Sequence, residues 1–226
     1  MSGIADSYQF KLPRRGRPSD VVLSESWYPG IQRYWENCTT RRSVDPILGI
    51  KAVVIHATAG GSSAGAISVM KRRENRASFH WLVPDENEPQ HGSLVWACAP
   101  EARAAWHVRP AVSHPDVNGG AKRVNQWSLG IEVVNTQVSD PFSAWQVLAT
   151  AQIIRYCWAK YPNLEYIVSH AKLDPGRRSD PGSGFPWSRF KELVLDGGND
   201  AVPAVALKAV LASKVKAVSS APCCCG

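Results

Sequence analysis

Residues 51–57, KAVVIHA, form a continuous apolar and β-branched run that contains His56 near its end. A run without polar alternation is typical of a strand that is buried on both faces of a sheet. Residues 164–170, LEYIVSH, show the same pattern and end at His170. We therefore predict two buried strands, each of which brings a histidine to the point where the strand meets a loop.

Strand and helix patterns alternate along the rest of the chain. Additional strands are predicted at 77–83, 93–99 and 128–135. Helices are predicted at 60–75, 139–161 and 187–197. This alternation favours the α/β class, with a mixed central β-sheet flanked by helices in a single domain.

The helix predicted at 139–161 has the clearest pattern. Asp140 fits its N-cap and Pro141 the first helical position. The apolar residues that follow repeat at helical spacing, which predicts one face packed on the sheet.

Composition divides the chain into three segments. We expect an N-terminal arm at 1–49 that packs on the domain, a catalytic domain at 50–197 and a C-terminal tail at 198–226, helical or flexible. Within the tail, residues 203–218 could form a docked helix, a frayed end or a basic helix that touches anionic membranes.

The overall composition is that of an ordinary globular protein, with 44% hydrophobic and 20% charged residues among 226. The net charge of +7 favours polyanions, which include nucleic acid, anionic lipid and the bacterial wall. No apolar run is long enough for a membrane span, and the first twenty residues show no signal-peptide core, so we expect synthesis in the cytoplasm without a leader.

The spacing of the six cysteines matches neither a metal-binding motif nor a disulfide framework. Cys38, Cys98 and Cys157 are far apart, and Cys223–Cys225 form a terminal run. No CxxC pair occurs, so we interpret them as ordinary thiols and an exposed, oxidation-prone tail.

The two strand-end histidines suggest half of a metal site. Asp180, in the loop word RRSDPG, supplies a carboxylate that could join His56 and His170 at one sheet edge. Two imidazoles, one carboxylate and a free fourth position are what catalytic zinc requires. By spacing alone, histidines that are merely hydrogen bonded at the sheet edge remain the alternative.

Five sequence words occur in order and strengthen the metal interpretation. They are VVIHATAG (53–60), ASFHWLV (77–83), AAWHV (104–108), SLGIEVVN (128–135) and SHAKLDPGRRSDPG (169–182). Over roughly residues 50–190, this series closely resembles the zinc-dependent N-acetylmuramoyl-L-alanine amidases, a family that includes phage amidases, cytoplasmic anhydro-muropeptide amidases and peptidoglycan-recognition proteins. The resemblance implies the amidase fold, in agreement with the mixed sheet predicted above.

The resemblance also implies a site and a reaction. His56, His170 and Asp180 would bind one zinc ion per chain, and the amide between the lactyl group of N-acetylmuramic acid and L-alanine would be cleaved. Glu132 matches the catalytic glutamate, which would take a proton from the attacking water and pass it to the leaving amine. A solvent-facing strand glutamate is the alternative for Glu132.

Arg178 departs from the family pattern, because many relatives carry lysine two residues before the aspartate. A guanidinium can still stabilise an oxyanion, although it cannot serve as a proton donor. The alternative is an outward-facing loop arginine.

Three further residues are candidates for substrate binding. The resemblance places Trp106 and His107 at the rim of the substrate groove, where Trp106 could stack on a sugar face. His80 fits two descriptions equally well: a hydrogen-bonded core histidine or a site residue. For all three, plain packing is the alternative.

We expect a monomeric peptidoglycan amidase, of the phage endolysin type, that acts at the cell wall after release. The alternatives are a cytoplasmic amidase that recycles anhydro-muropeptides and a peptidoglycan-binding protein without catalysis. Peptidoglycan or muropeptides are the expected partners, with weak membrane contact through the tail. Nucleic acid is not expected, because the basic residues are scattered and no nucleic-acid motif occurs.

Overall fold

Residues 8–19 and 21–197 are described by a computed structural model of the chain. The predicted helix at 203–218 and the cysteines Cys223–Cys225 lie outside these residues. So does the rest of the predicted tail at 198–226.

The largest element is a seven-stranded sheet, and a two-stranded sheet lies beside it. The strands are β1 (Gln9–Lys11), β2 (Glu25–Trp27), β3 (Thr39–Arg41), β4 (Ala52–Ala57), β5 (Trp81–Val83), β6 (Val95–Ala97), β7 (Arg103–Ala105), β8 (Ser128–Val133) and β9 (Tyr166–Ser169). The large sheet has the order β1-β9-β4-β8-β5-β6-β2, and β3 pairs with β7.

The sheet is mixed, which confirms the predicted class. The neighbours β9, β4, β8 and β5 run parallel. β1 is antiparallel to β9 and β6 is antiparallel to β5, whereas β2 is parallel to β6. All six residues of β4 are buried, as its unbroken apolar run predicts. Because β4 and β9 are parallel neighbours, their carboxyl ends reach the same edge of the sheet.

Helices cover both faces of the sheet. They are α1 (Ser63–Lys71), α2 (Val124–Trp127), α3 (Ala144–Lys160), α4 (His170–Leu173) and α5 (Trp187–Asp196). Successive strand residues point to opposite faces of the sheet. The residues that pack against alternate positions of β4 therefore show which helices lie on each face. Val53 and Ile55 share a core cluster with α3 and α5, whereas Ala52 and Val54 pack with α2 and α4.

The start of α3 differs from the prediction. Its N-cap is Ser143, whose hydroxyl accepts from the Gln146 backbone N–H while the Gln146 side chain reaches back to the Ser143 N–H. This capping box satisfies two backbone donors at once and outcompetes the predicted cap. Asp140 instead accepts a hydrogen bond from the backbone N–H of Thr136 at 2.7 Å, so the Asp140 prediction was wrong.

The described part of the N-terminal arm contributes strands to three places. β1 lies at one edge of the large sheet, β2 lies at the other, and β3 pairs with β7. Between β2 and β3, two short 3-10 segments span Ile31–Arg33 and Trp35–Cys38. The arm therefore spans the sheet from edge to edge.

The structure also bears on the predictions about membrane spans and cysteines. Within 8–19 and 21–197, no helix is both long and apolar enough to span a bilayer. The thiols of Cys38, Cys98 and Cys157 are free and buried. Burial raises the pKa of the Cys38 thiol to about 11, so this group stays protonated at neutral pH.

Candidate metal centre and active site

The site lies at the carboxyl edge of the parallel strands. His56 is the second-last residue of β4, and His170 begins α4 directly after β9. Ser169 caps α4 through a bond from the Lys172 N–H, so the chain turns sharply at His170. Crevices at the carboxyl ends of parallel strands are common ligand sites in open α/β sheets.

Asp180 reaches the histidines from the loop after α4. The Asp180 carbonyl accepts from the Ala171 N–H at 2.9 Å, which ties this loop to the start of α4. The Gly182 N–H donates to the Ser179 carbonyl at 2.8 Å, and Gly182 has a φ of 94°, a conformation that strains other residues. The turn holds Asp180 between the two histidines.

Three potential ligand atoms converge in the structure. His56 Nδ1 lies 3.0 Å from His170 Nδ1, and each nitrogen lies 3.1 Å from Asp180 Oδ2. The residues are 3%, 4% and 6% exposed. Among the residues that the structure describes, this is the one His/Cys/Asp/Glu group placed to hold a metal ion.

The donor set fits a cation. A tetrahedral zinc ion with bonds of about 2.0–2.1 Å separates its ligand atoms by roughly 3.3 Å, close to the separations seen here. Burial, and next the proximity of His170, lowers the pKa of His56 to about 4, which keeps its imidazole neutral. Burial alone would raise the pKa of Asp180, but hydrogen bonds from His170 and His56 hold it well below its usual range. Neutral imidazole and ionised carboxylate are the forms that bind metal.

Glu132 faces the same space from the neighbouring strand. In the β4–β8 pair, Glu132 is the partner of His56. It lines a cavity of about 250 Å³ together with His56, His170 and Asp180. Burial raises the pKa of Glu132 to about 8, the charge of Asp180 adds to the rise, and Arg178 opposes it. The residue is therefore suited to hold and release a proton near neutral pH.

Arg178 stands at the mouth of this cavity. It lies in the loop after α4 that also contains Asp180. Its side chain is exposed and lines the cavity that contains Glu132. Its charge lowers the pKa of both Glu132 and His56. The guanidinium is thus close enough to act electrostatically on the site.

A larger groove of about 780 Å³ adjoins the first cavity. The two share Trp106, His107 and His170 among their lining residues. None of the residues that line the larger groove is acidic, and five are arginines: Arg76, Arg109, Arg123, Arg177 and Arg178. Arg109 also forms a salt bridge of 2.8 Å with Asp174, which lies in the same loop as Asp180. The groove is suited to a ligand with carboxylates.

The histidine of the AAWHV word contacts a metal-ligand candidate. His107 Nδ1 lies 3.1 Å from His56 Nε2, and His107 Nε2 lies 3.2 Å from Ser128 Oγ. Both ring nitrogens are thus close to protein atoms, a feature that the sequence did not indicate. Trp106 is half-buried and keeps part of its ring in the groove.

His80 does not face the groove. It is 0% exposed, its Nδ1 accepts from the Gly130 N–H at 2.9 Å, and its Nε2 lies 3.0 Å from the Arg103 carbonyl. Both nitrogens are used inside the domain, so its assignment to substrate binding is corrected. The core-histidine alternative describes it.

Sequence reasoning passed over Gly130, although the glycine interrupts a strand pattern. A Cβ atom added at Gly130 would lie 2.7 Å from Cγ of His107, closer than such contacts allow. The glycine therefore lets the His107 ring lie against β8. A glycine inside a strand often marks such a close approach, and that signal was available in the word SLGIEVVN.

Comparison with known proteins identifies the family of the chain. Residues 46–183, more than half of the chain, match the family model described as N-acetylmuramoyl-L-alanine amidase. The curated relatives include N-acetylmuramoyl-L-alanine amidase AmiD of Escherichia coli K12, 30% identical over 162 residues, covering 67% of this chain and 56% of AmiD. Another is 1,6-anhydro-N-acetylmuramyl-L-alanine amidase AmpD of Salmonella typhimurium LT2, 31% identical over 120 residues, covering 53% of this chain and 58% of AmpD. The chain thus spans somewhat more than half the length of these relatives.

Solved structures of similar proteins share the fold. AmiD from E. coli, in complex with anhydro-N-acetylmuramic acid-L-Ala-D-gamma-Glu-L-Lys, superposes with a TM-score of 0.53 at 29% identity, covering 67% of this chain and 60% of that one. AmpDh3 from Pseudomonas aeruginosa gives a TM-score of 0.55 at 25% identity, covering 67% of this chain and 62% of that one. By its matched sequence and its architecture, the chain belongs to the N-acetylmuramoyl-L-alanine amidase family.

Proposed function

We propose that the protein is a zinc-dependent amidase that hydrolyses the bond between the lactyl group of N-acetylmuramic acid and L-alanine. The observation that supports this most strongly is the convergence of His56, His170 and Asp180 opposite Glu132. A buried metal-binding triad beside a proton-transfer group is the arrangement that metal-assisted amide hydrolysis needs.

The triad would hold one zinc ion, and the ligand types favour zinc over harder cations such as magnesium. When bound, zinc would polarise the scissile carbonyl and the attacking water, and its charge would favour the ionised form of Glu132.

Glu132 is proposed as the general base and then the general acid. As the base, its carboxylate takes a proton from the attacking water, and as the acid it delivers that proton to the alanine nitrogen, so that the C–N bond breaks without a charged amide leaving group. Its raised pKa supports this double role, because a group that titrates near neutral pH exchanges protons in both directions.

Arg178 is proposed to stabilise the negative charge that develops on the carbonyl oxygen. Its position at the mouth of the cavity and its effect on the pKa of Glu132 support the role. An arginine stays charged throughout the reaction, so the arrangement separates charge stabilisation from proton transfer.

The arginine-lined groove is proposed to bind the stem peptide. A stem in which D-glutamate is linked through its γ-carboxyl keeps a free α-carboxylate, and the peptide end adds another. The absence of acidic lining residues and the presence of five arginines favour such anions. Trp106, half-buried at the junction of the two cavities, would pack on the sugar.

Two physical forms of the substrate are compatible with this chemistry. Soluble anhydro-muropeptides are the first candidate, because the AmpD relatives are named 1,6-anhydro-N-acetylmuramyl-L-alanine amidases. Intact wall, as an endolysin would attack, is the second candidate, and the net charge of +7 favours its anionic polymers.

A matched digestion separates these candidates. Zinc-loaded protein, the chelated protein and the Glu132→Gln variant would each be given isolated sacculi and soluble anhydro-muropeptides, with products identified by mass. We expect free stem peptides with L-alanine amino termini from the zinc-loaded protein alone, and the faster substrate identifies the role. Wall binding without any release would instead indicate a recognition protein.

A further inference from the structure

Arg42 lies in the N-terminal arm, outside the family-matched residues 46–183, yet its side chain is buried in the domain. It is 7% exposed. Burial lowers the pKa of Arg42 to about 10, so the guanidinium remains charged at neutral pH. It donates hydrogen bonds to four backbone carbonyls, and its Nη2 also lies 3.2 Å from His80 Nε2. The carbonyls are those of Glu101 at 2.9 Å, Asn125 at 2.9 Å, Gln126 at 2.8 Å and Ser128 at 3.0 Å.

Three of these carbonyls belong to the junction between α2 and β8. The last carbonyls of a helix have no partner inside it, and Arg42 supplies donors to them. In the same junction, the Asn125 side chain accepts a hydrogen bond from the Val108 N–H at 2.9 Å and donates one to the Val108 carbonyl at 2.7 Å. The junction therefore connects Arg42 to the segment that contains His107.

A directed chain of hydrogen bonds continues from this junction to the metal ligand. Ser128 donates its hydroxyl proton to the Val124 carbonyl at 2.7 Å, which leaves Ser128 Oγ to accept from His107 Nε2. His107 Nδ1 is then free to accept from His56 Nε2. Metal binding at His56 Nδ1 requires the proton on Nε2, so every donor in this chain meets an acceptor.

We propose that Arg42 is a positioning residue of the metal centre, which acts through the α2–β8 junction, Ser128 and His107 on the ring of His56. The inference rests on the proposed metal site. It assigns His107 to the orientation of His56, since both of its nitrogens are used within the protein.

The arm contains a matched control. Arg17 also lies before the family-matched region and also bonds backbone carbonyls near the end of a helix, at Tyr161 (2.7 Å) and Pro162 (2.8 Å), with a further contact to Trp158. These carbonyls follow α3 and precede β9, at the end of that strand opposite to His170. The two arginines thus make similar bonds at different distances from the metal ligands.

The test compares Arg42→Lys with Arg17→Lys in the full chain. A lysine keeps the charge, but a single ammonium cannot reach all the carbonyls that Arg42 bonds. Zinc affinity would be measured by competition with a chromogenic chelator, and folding by circular dichroism and thermal unfolding. Because outer hydrogen-bond partners typically change metal affinity by roughly 10- to 100-fold, we expect a loss of that size for Arg42→Lys. For Arg17→Lys we expect a change within about twofold, since it lies outside the chain of bonds.

A second variant tests the same chain of hydrogen bonds in case Arg42→Lys does not fold. Ser128→Ala removes the acceptor for His107 and leaves Arg42 in place, and we expect it to weaken zinc binding by roughly tenfold. Nitrogen NMR of the zinc-loaded wild type should show His107 protonated at Nε2. Wild-type affinity in Ser128→Ala, an equal loss in Arg17→Lys, or a His107 proton at Nδ1 would each overturn the proposal.

The readouts separate this inference from the proposed function. Zinc affinity and the His107 tautomer do not depend on turnover. If the wild type binds zinc but cleaves no muropeptide, the proposed function fails while the positioning role of Arg42 can still be confirmed. If cleavage occurs and the affinities do not differ, only the positioning role fails.

Discussion

The family-matched region and the N-terminal arm contribute to the site in different ways. The matched region supplies the buried strands β4, β8 and β9 and the residues at their ends, including His56 and Glu132. The arm supplies short strands and two arginines that bond backbone carbonyls, Arg17 and Arg42. The matched region thus contains the candidate chemical groups, whereas the arm, in our proposal, acts on the orientation of one of them, His56.

The largest effect is expected at Asp180, a proposed metal ligand inside the matched region. Asp180→Ala removes one of three ligands and leaves two imidazoles without their carboxylate, so zinc binding and muropeptide cleavage should both be lost. Zinc content of the purified variant and product release by mass spectrometry measure this. Retention of stoichiometric zinc would break the assignment of Asp180.

Glu132→Gln should separate metal binding from catalysis. The amide keeps the size of the side chain but cannot accept the water proton, so activity should fall by about 10²–10⁴-fold. Zinc affinity should stay near the wild-type value, because Glu132 is not a ligand. A chelator competition run beside the kinetic assay checks both, and activity within a few-fold of wild type would refute the general-base role.

Arg178→Ala tests charge stabilisation at the mouth of the site. Loss of one oxyanion donor can cost about 10²–10³-fold in kcat, and this exposed, open site should lie at or below the lower end of that range. The free energy of unfolding should change little, because the side chain is exposed. Equal kcat in the variant and the wild type would restore the outward-facing alternative.

Gly130→Ala tests the packing that seats the His107 ring. The added Cβ meets His107 Cγ at 2.7 Å, and overpacking of this kind costs about 1–3 kcal/mol of stability. Gly184→Ala is the control, since its Cβ would meet nothing within 4 Å. Chemical denaturation should show a loss for Gly130→Ala, which should also bind zinc more weakly, and almost none for Gly184→Ala. Similar stability in the two variants would contradict the close approach.

The smallest effect is expected far from the metal, in the arm. Arg17→Ala leaves carbonyls near the end of α3 to water, so we expect a loss of about 0.5–1.5 kcal/mol in the free energy of unfolding. Because these carbonyls lie away from the site, zinc affinity and kcat should match the wild type. A large fall in either would mean that the whole arm, and not Arg42 in particular, controls the site.

Much of the fold was predictable because its central strands have unbroken apolar sequences. The runs around His56 and His170 gave β4 and β9, and their parallel pairing brings the histidines to one edge. Strands β1, β2, β3 and β7 have three residues each and were not predicted, whereas the equally short β5 and β6 lie within the predicted runs at 77–83 and 93–99. Asp140 was a plausible cap by residue type, but the pair Ser143 and Gln146 satisfied more backbone donors.

The parts of the site that were missed depend on tertiary contacts. Arg42 lies far in sequence from Ser128, and no local pattern links the two. The AAWHV word suggested a role for His107, but only the structure shows that its ring contacts His56. His80 lies in an equally suggestive word, and its environment assigns it to the core instead.

The most direct test of the central claim is hydrolysis of an anhydro-muropeptide in heavy-oxygen water by zinc-loaded protein, with a chelated sample beside it. We expect the heavy oxygen to enter the lactyl carboxylate of the muramic acid and L-alanine to gain a free amine. Chelation should abolish both changes, and added zinc should restore them. Release that persists in the chelated sample, or a zinc-loaded protein that leaves the lactyl–alanine bond intact, would contradict the central claim.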